Sequence, residues 1–397
     1  MHPPFQGSLL AHALKLVQPV YPEPAVAVSR LTLTRFRGYG TLRLVADRRP
    51  VVLTGPNGAG KTNLLEAVSF LAPGRGLRRT RLSEVAQIGT HEGWAVAATV
   101  ETRLGPVDIG TGRDPAAGES SERRLLRIDG QPVKGQTALA EHLTVLWLTP
   151  QMDRLFLEGA AGRRRFLDRL VFGFDPAHAG RLSRYEQASR ERGRLLRDGR
   201  FDDAWLSGLE DVMATTGVAV AAARRDTVRR LQAAVAAGLG PFPAADIAVT
   251  GAVEGWLDDR PALAAEDELR RRLRDARRLD ADSGTTTVGP HKSDLAVRHR
   301  TKGMPAELCS TGEQKALLIA IVLANARLMA SERGASPVLL LDEVAAHLDE
   351  ARREALFEEI LALGSQAWMT GTDAVLFDPL AGRASRFRIE DARILPY

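Results

Sequence analysis

The stretch that decides the fold occupies residues 55–62 and reads Gly55-Pro56-Asn57-Gly58-Ala59-Gly60-Lys61-Thr62. It fits the phosphate-binding pattern G-x-x-x-x-G-K-T in full, between a short apolar run and a leucine-rich helical stretch. Glycines let backbone N–H groups face phosphates where a Cβ atom would intrude. We expect Lys61 to reach the β- and γ-phosphates and Thr62 to hold Mg²⁺. The alternative is a glycine-rich turn that binds no ligand.

A second motif lies near the C-terminus, where the apolar run Leu339-Leu340-Leu341 ends in Asp342 and Glu343. We expect Asp342 to bind Mg²⁺ through water and Glu343 to act as the general base on the attacking water. Alone, the pattern is weak, because buried strands often leave the core at acidic residues. Combined with the loop, it predicts Lys61, Asp342 and Glu343 as catalytic residues.

A third motif, Ser310-Thr311-Gly312-Glu313-Gln314-Lys315, begins a strongly apolar helix. Ser310 can cap that helix, whose N-terminus presents free N–H groups and a positive dipole end. An ordinary N-cap box would look the same. In sequence order with the other two motifs, it predicts an ATPase. The predicted nucleotide contacts are therefore residues 55–62 together with Ser310, Gly312, Glu313 and Gln314.

Further stretches support a specific resemblance. Residues 60–70 read GKTNLLEAVSF, residues 162–168 read GRRRFLD, and residues 289–295 read GPHKSDL. With STGEQK at 310–315, they make the chain resemble the bacterial RecF family over roughly residues 30–397. This family comprises recombination-mediator ATPases related to the heads of SMC proteins. The resemblance implies an ABC-type head that binds ATP and Mg²⁺, dimerises on ATP, binds gapped, single- or double-stranded DNA, and acts with RecO and RecR to load recombinase at gaps.

The resemblance also implies roles for single residues. In such heads the helix start at Ser310 faces the γ-phosphate held by the other protomer, so a homodimer is required. Asp349 falls where a residue signals across that interface. Gln151 is the candidate for a metal-contacting glutamine, and an exposed loop glutamine is the alternative. Thr370-Gly371-Thr372 replaces the usual switch histidine. This departure implies a weak ATPase, with Thr370 or Thr372 on the γ-phosphate side.

The 397 residues leave room for two or three domains. Residues 1–29 are rich in proline and are interpreted as a poorly ordered extension. Residues 30–155 carry strand patterns and the loop, and form a first ATPase lobe. Residues 156–285 lose strand patterns and are predicted to be a helical arm, and residues 286–397 form a second lobe with the other two motifs. The predicted fold class is an α/β P-loop ATPase head, with a mixed-sheet lobe, a signature-helix lobe and a short inserted helical arm.

Composition narrows the setting. The single cysteine, Cys309, excludes an internal disulfide and a Cys-x-x-Cys metal site, and it fits a reducing cytoplasm. No apolar run reaches the ~18 residues that a membrane span needs, and residues 1–29 lack the pattern of a secretory signal. We therefore expect a cytoplasmic protein with no membrane partner.

Net charge is +5 and the pI about 9.6, which suits a polyanionic partner. Counted by segment, the positive excess lies in residues 30–155 (18 basic, 12 acidic) and 156–200 (11 basic, 6 acidic). We predict backbone contacts to DNA without base stacking. The alternative is that the arginines concerned stabilise the fold or the nucleotide site. The predicted DNA contacts are Arg75, Arg78, Arg79 and Arg81.

Three other protein classes fit less well. An ABC transporter subunit is compact, whereas 249 residues separate Lys61 from Ser310 here. An SMC-like chromosome-structuring ATPase needs long coiled coils, for which residues 156–285 are too few. An ATPase fused to a nuclease needs a further domain, and only 48 residues follow Asp349.

Overall fold

The computed structural model describes residues 22–87, 89–90, 92–114, 123–199 and 202–395. Up to residue 21, the expected N-terminal extension lies outside the described residues. Its expected end at residue 29 is wrong, because the first strand already begins at Ala27. The side chains of Ala27 and Val28 are fully buried, so these residues belong to the core.

The described residues form two six-stranded sheets and one three-stranded sheet. Their strands are β1 (Ala27–Phe36), β2 (Tyr39–Val45), β3 (Val51–Thr54), β4 (Ala95–Thr102), β5 (Gly105–Arg113), β6 (Arg124–Ile128), β7 (Gln131–Pro132), β8 (Val145–Leu148), β9 (Ala245–Thr250), β10 (Asp294–His299), β11 (Met304–Pro305), β12 (Val338–Leu341), β13 (Ala367–Gly371), β14 (Ser385–Glu390) and β15 (Arg393–Leu395). The first sheet is antiparallel with the order β2-β1-β4-β5-β6-β7. The second has the order β15-β14-β3-β13-β12-β8 and is parallel apart from β15.

The helices connect and cover these sheets. They are α1 (Lys61–Ser69), α2 (Ala160–Phe172), α3 (His178–Arg197), α4 (Asp203–Ala236), α5 (Ala252–Asp259), α6 (Ala262–Asp275), α7 (Arg277–Ser283), α8 (Thr311–Arg333) and α9 (Glu350–Ala362). In the described part of the chain, α8 is the one helix long and apolar enough to cross a membrane. Because 78% of its apolar stretch is buried, it is the central core helix of the second lobe.

The parallel sheet is buried on both faces, and this explains its unbroken apolar strands. In β12, Leu339 and Leu341 pack in the core that contains α8. Val338 and Leu340 pack in the core shared by α1 and the antiparallel sheet. The strand order places β13 between β3, which leads into the loop, and β12, which leads into Asp342. The carboxyl ends of these strands meet at one edge, where the site lies.

The predicted arm is not wholly helical. Strand β9 lies within residues 156–285 and pairs antiparallel with β10, placing Ala248 opposite Ala296. Val235 near the end of α4 also joins the core around α8. A single six-residue strand between helices has too little pattern to stand out, and its stability comes from a partner that begins 44 residues later, at Asp294.

A buried ionic network holds the arm helices together. The Arg192 guanidinium is fully buried and donates to Glu210 (2.9 Å), Asp280 (2.6 Å) and the carbonyl of Leu273 (2.6 Å). These contacts connect α3, α4, α6 and α7. Both carboxylates are buried, but Glu210 also accepts from Arg277 at 2.6 Å, so Asp280 depends most on the Arg192 guanidinium for its compensation.

Arg192→Leu should therefore lower the free energy of unfolding by about 3–5 kcal/mol, because Asp280 loses its buried counter-charge and Glu210 keeps only that of Arg277. Urea unfolding followed by circular dichroism measures the change. Arg229→Leu is the matched control, because Arg229 is 80% exposed and bonds only a neighbouring aspartate on α4. The control should change stability by less than about 0.5 kcal/mol. Equal effects of the two substitutions would contradict the assigned role of the network.

Candidate nucleotide-binding site

The loop at residues 55–62 joins β3 to α1, as expected for a phosphate-binding loop. Gly58 has a φ of +79°, and a Cβ placed there would meet nothing within 4 Å, so this backbone is open to a ligand. Gly60 has a φ of +108°, and a Cβ there would lie 2.7 Å from the Tyr39 hydroxyl oxygen. Gly60 is therefore required by both backbone and packing.

Two supports of the loop were not evident from sequence. The Tyr39 hydroxyl donates to the Gly60 carbonyl at 3.1 Å, and burial raises the pKa of Tyr39, which keeps it a donor. On α1, the fully buried Glu66 accepts from Arg37 at 2.7 Å and from Arg78 at 2.8 Å. The tyrosine at the start of β2 was the one sequence signal for the first support. No local pattern predicts the second.

A hydrogen-bonded chain joins the loop to the Asp-Glu motif. The Thr62 hydroxyl donates to Asp342 Oδ1 at 2.9 Å, and the Thr370 hydroxyl donates to the same oxygen at 2.8 Å. The Glu343 backbone N–H donates to Thr370 Oγ1 at 2.9 Å. Thr370 thus orients both carboxylate-bearing residues, while Thr372 is exposed one residue beyond β13.

Lys61 and Glu343 face each other at the end of this chain. The buried Lys61 ammonium donates to the carbonyls of Gly55 (2.8 Å) and Pro56 (3.0 Å) and lies 3.6 Å from Glu343 Oε1. Glu343 has a φ of +55°, an unfavourable left-handed conformation for a residue with a side chain. Strain of this kind persists where the surroundings impose it and is frequent at functional sites. The conformation places the Glu343 carboxylate beside the lysine.

The donor set fits a magnesium ion bound together with a phosphorylated ligand. The described residues contain no group of three or more His, Cys, Asp or Glu side chains that could hold a metal by themselves. Mg²⁺ needs only one or two protein oxygens when phosphates and water complete its octahedron. The adjacent oxygens of Thr62 and Asp342 meet that requirement. Gln151 is exposed in the 3₁₀ turn after β8, the strand beside β12, and so lies at the same sheet edge.

The helix start at residue 310 forms a complete capping box. The Ser310 hydroxyl accepts from the Glu313 N–H, and Glu313 accepts from the Ser310 N–H at 3.0 Å. Bonds from Lys302 and from the Ser310 backbone and hydroxyl lower the pKa of Glu313 to about 2. A Cβ at the exposed Gly312 would meet nothing within 4 Å, so this face is open. Gln314, in contrast, is buried and donates to the Cys309 carbonyl at 3.0 Å, a structural role.

The four predicted DNA-contacting arginines do not form one surface. Arg78 donates to Asn63 (2.8 Å) and Glu66 (2.8 Å), so it stabilises the helix after the loop, as the alternative interpretation expected. Arg75 and Arg79 line a large cleft against α2 and α3. Arg81 is exposed just before a 3₁₀ turn.

Comparison with known proteins agrees with this geometry. Residues 27–377 match the family described as "RecF/RecN/SMC N terminal domain". The chain is 53% identical over 372 residues to the DNA replication and repair protein RecF of Agrobacterium fabrum, covering 93% of this chain and 98% of the relative. It is 50% identical over 371 residues to RecF of Rhizobium etli strain CIAT 652, with the same two coverages.

Solved structures give the same result for the fold. The recombination mediator protein RecF with ATPrS in the RecFOR pathway superposes with a TM-score of 0.81 at 22% identity, over 94% of this chain and 98% of that chain. An SMC head domain from Pyrococcus furiosus, bound to the C-terminal domain of ScpA, superposes with a TM-score of 0.52 at 16% identity, over 93% and 96% of the two chains.

The fold and site define an ABC-type P-loop ATPase head of the RecF and SMC class, which confirms the predicted fold class. The chain belongs to the RecF family of DNA replication and repair proteins. The resemblance read from its motifs is therefore confirmed. The transporter and chromosome-structuring alternatives are set aside, because the match to RecF extends over nine-tenths of the chain.

Thr370→Val tests the hydrogen-bonded chain. It keeps the shape of the side chain but removes the hydroxyl that orients Asp342 and Glu343. We expect ATP hydrolysis to fall roughly 10- to 100-fold because the reacting groups lose their geometry, while ATP affinity changes by less than about threefold. A coupled phosphate-release assay and a fluorescent-nucleotide titration measure both. Thr372→Val, two residues away and exposed, should behave like the wild type. Wild-type hydrolysis by Thr370→Val would refute the assigned role of Thr370.

Proposed function

We propose that this protein is an ATP-dependent DNA-binding protein of recombinational repair and replication restart, which dimerises on ATP and helps to load recombinase at DNA gaps. The observation that carries the proposal is the chain from Thr62 through Asp342 and Thr370 to Glu343. It connects the phosphate-binding loop to the second motif, as a working ATPase site requires. Membership of the RecF family supports the DNA-repair setting.

Each residue of the site has a defined task in the proposed hydrolysis. Thr62, Asp342 and Gln151 would hold the Mg²⁺ that accompanies ATP, and this ion would supply positive charge against the phosphates. Lys61 donates to the Gly55 and Pro56 carbonyls here and would donate to phosphate oxygens when ATP is bound. Glu343 takes a proton from water as general base. Because Thr370 and Thr372, at and just beyond the end of β13, stand where related heads carry a histidine, we expect the ATPase to be weak.

A second copy of the chain is needed to complete the site. In the described residues, the helix start at Ser310 bonds within itself and to Lys302, and Lys315 pairs with Asp153 at 3.1 Å. Among the described residues, no hydrogen bond or ion pair joins this helix start to residues 55–62 of the same chain. Its open face at Gly312 and its free N–H groups suit the γ-phosphate held by another protomer. Asp349 caps α9, and its carboxylate accepts from the backbone N–H of Arg352 at 2.8 Å.

The proposed partners follow from family membership and charge. RecO and RecR are proposed as partners because the chain resembles RecF proteins, and one solved relative is described as part of the RecFOR pathway. DNA is proposed as ligand because the positive excess lies in residues 30–200. A DNA substrate and a single unpaired cysteine agree with a cytoplasmic setting.

Lys61→Ala and Glu343→Gln should fail in different ways. Lys61→Ala removes a phosphate-binding cation and should lose nucleotide affinity. Glu343→Gln keeps the shape but lacks the base, so it should bind ATP and hydrolyse it about 10²-fold or more slowly. It should also hold the dimer closed. Nucleotide titration and steady-state phosphate release distinguish the two. Hydrolysis by Glu343→Gln at the wild-type rate would assign the base to another residue.

Ser310→Arg should abolish ATP-dependent dimerisation, because a bulky cation would occupy the position expected for the γ-phosphate contact. ATP binding should stay largely intact, since the loop is untouched. Analytical ultracentrifugation with ATP measures the oligomeric state. Ser331→Arg places the same residue at the exposed far end of α8 and should dimerise like the wild type. A Ser310→Arg protein that dimerises normally would rule out the proposed closed dimer.

A further inference from the structure

Two motifs of the sequence take no part in the nucleotide site, residues 162–168 and residues 289–295. The structure brings them together. Arg224 on α4 donates to both oxygens of Asp168, at 2.8 and 2.9 Å, and to the carbonyl of Pro290 at 2.6 Å. The α2 helix and the segment before β10 therefore form one rigid unit. Both motifs therefore lie in one unit outside the ATPase centre. This arrangement suggests that the unit has a second binding function.

This unit forms one wall of a cleft of about 680 Å³. The opposite wall is residues 72–79, which follow α1, and the 3₁₀ turn Gln136–Glu141. The cleft adjoins a smaller cavity of about 280 Å³ that reaches His291. Arg79 and Arg165 line both cavities, so they stand at the junction. We call the combined space the arginine cleft.

The arginine cleft carries an excess of positive charge. Two carboxylates also line it, and both are already engaged: Asp168 by Arg224 and His178, and Glu186 by Arg190 at 3.7 Å. Seven arginines line the two cavities of the arginine cleft: Arg75, Arg79, Arg164, Arg165, Arg169, Arg190 and Arg224. Within the described residues, only Arg190 and Arg224 of these seven form a salt bridge.

The positive charges of these guanidinium groups repel each other. Burial and the charges of Arg165 and Arg75 lower the pKa of Arg79, against the smaller opposing effect of Glu186 and Asp168. Burial, followed by the charges of Arg79 and Arg165, lowers the pKa of Arg169. Arginine nevertheless stays protonated at neutral pH, so the repulsion persists until an anion enters. Arg79 also has a φ of +57°, a strained conformation that directs it into the cleft wall.

We propose that the arginine cleft binds phosphate groups of a nucleic-acid strand. The inference rests on the proposed function and adds a location to it. Guanidinium forks match phosphate oxygens in two-bond geometry. The large apolar side chains that line the cleft, such as Trp147, Phe172 and Leu182, are buried or half-buried, and none of the exposed ones in the described part of the chain lies there, whereas a protein partner would need exposed anchors. Nucleic acid is therefore favoured over an acidic protein segment.

The cleft is mechanically connected to the nucleotide site. Arg78 lies between the cleft residues Arg75 and Arg79 and the loop helix, and it holds Asn63, the neighbour of Thr62. A movement of α1 on nucleotide binding would thus be transmitted to one wall of the cleft. This connection gives a physical route by which ATP controls DNA affinity.

The double variant Arg79→Gln/Arg165→Gln tests the proposal at saturating ATP. Fluorescence anisotropy with labelled single-stranded and duplex DNA should show a dissociation constant raised at least about tenfold, and a log–log salt slope reduced by about two units. ATP affinity should change less than about threefold, because neither residue contacts the loop. Wild-type DNA affinity and salt slope in this variant would overturn the proposal.

The matched control is Arg43→Gln/Arg260→Gln, which removes the same formal charge from two exposed sites away from the cleft. It should weaken DNA binding less than about threefold. Equal losses in the two double variants would mean that total charge, and not the cleft, determines DNA affinity, and would overturn the proposal. If the wild type fails to bind DNA with ATP, the proposed function itself is refuted, a result distinct from equal behaviour of variant and control.

A second variant decides the matter if the arginine variant does not fold. Ser183→Glu puts a negative charge on the exposed, cleft-lining face of α3 and removes no structural contact. It should weaken DNA binding about tenfold, and unchanged binding would contradict the proposal. Calorimetric titration with inorganic pyrophosphate, at saturating ATP, separates the sources of phosphate. Tight pyrophosphate binding that Ser183→Glu abolishes, without any effect on DNA, would assign the cleft to a free phosphate compound and overturn the nucleic-acid proposal.

Discussion

The structure of the site depends on one carboxylate. Asp342, which follows β12, accepts hydrogen bonds from Thr62 at the start of α1 and from Thr370 in β13. A buried carboxylate is stable only while its hydrogen-bond partners are in place. The register of β3, β13 and β12 is therefore tied to the position of the loop. A separate bond, from the Glu343 N–H to Thr370 Oγ1, fixes the backbone of Glu343, which has a left-handed conformation and lies beside Lys61.

The two hydrophobic cores on either side of the parallel sheet support different parts of the molecule. The core containing α8 supports the helix start at Ser310 and the end of α4, so it connects the second lobe to the arm. The core between α1 and the antiparallel sheet supports the loop and the segment with Arg75 and Arg79. Both cores share the parallel sheet, whose strands present alternate residues to its two faces. A change at the sheet edge can therefore reach both the helix start at Ser310 and the segment with Arg75 and Arg79.

The arm illustrates how charge can serve structure and function in the same segment. Arg192 and Arg224 are buried, and their guanidinium groups are paired with carboxylates, so their role is structural. Arg165, between Arg163 and Arg169 on the same helix, contacts no carboxylate in the described structure and faces the cleft. Counting arginines along the chain could not separate these groups, because burial and partners differ between adjacent positions. Only the three-dimensional neighbours assign each charge a role.

The sequence by itself determined the family, the phosphate-binding loop and the Asp-Glu motif, because these depend on local backbone geometry and on contiguous residues. It also predicted most strands and the helix capped by Ser310. The tertiary structure decided the rest. The strand β9 within the arm, the bond of Thr370 to Asp342, the structural role of Arg78 and the arginine cleft all join residues far apart in the chain. Such contacts leave no periodic trace in sequence, because the energy that fixes them arises only when separate elements are packed together.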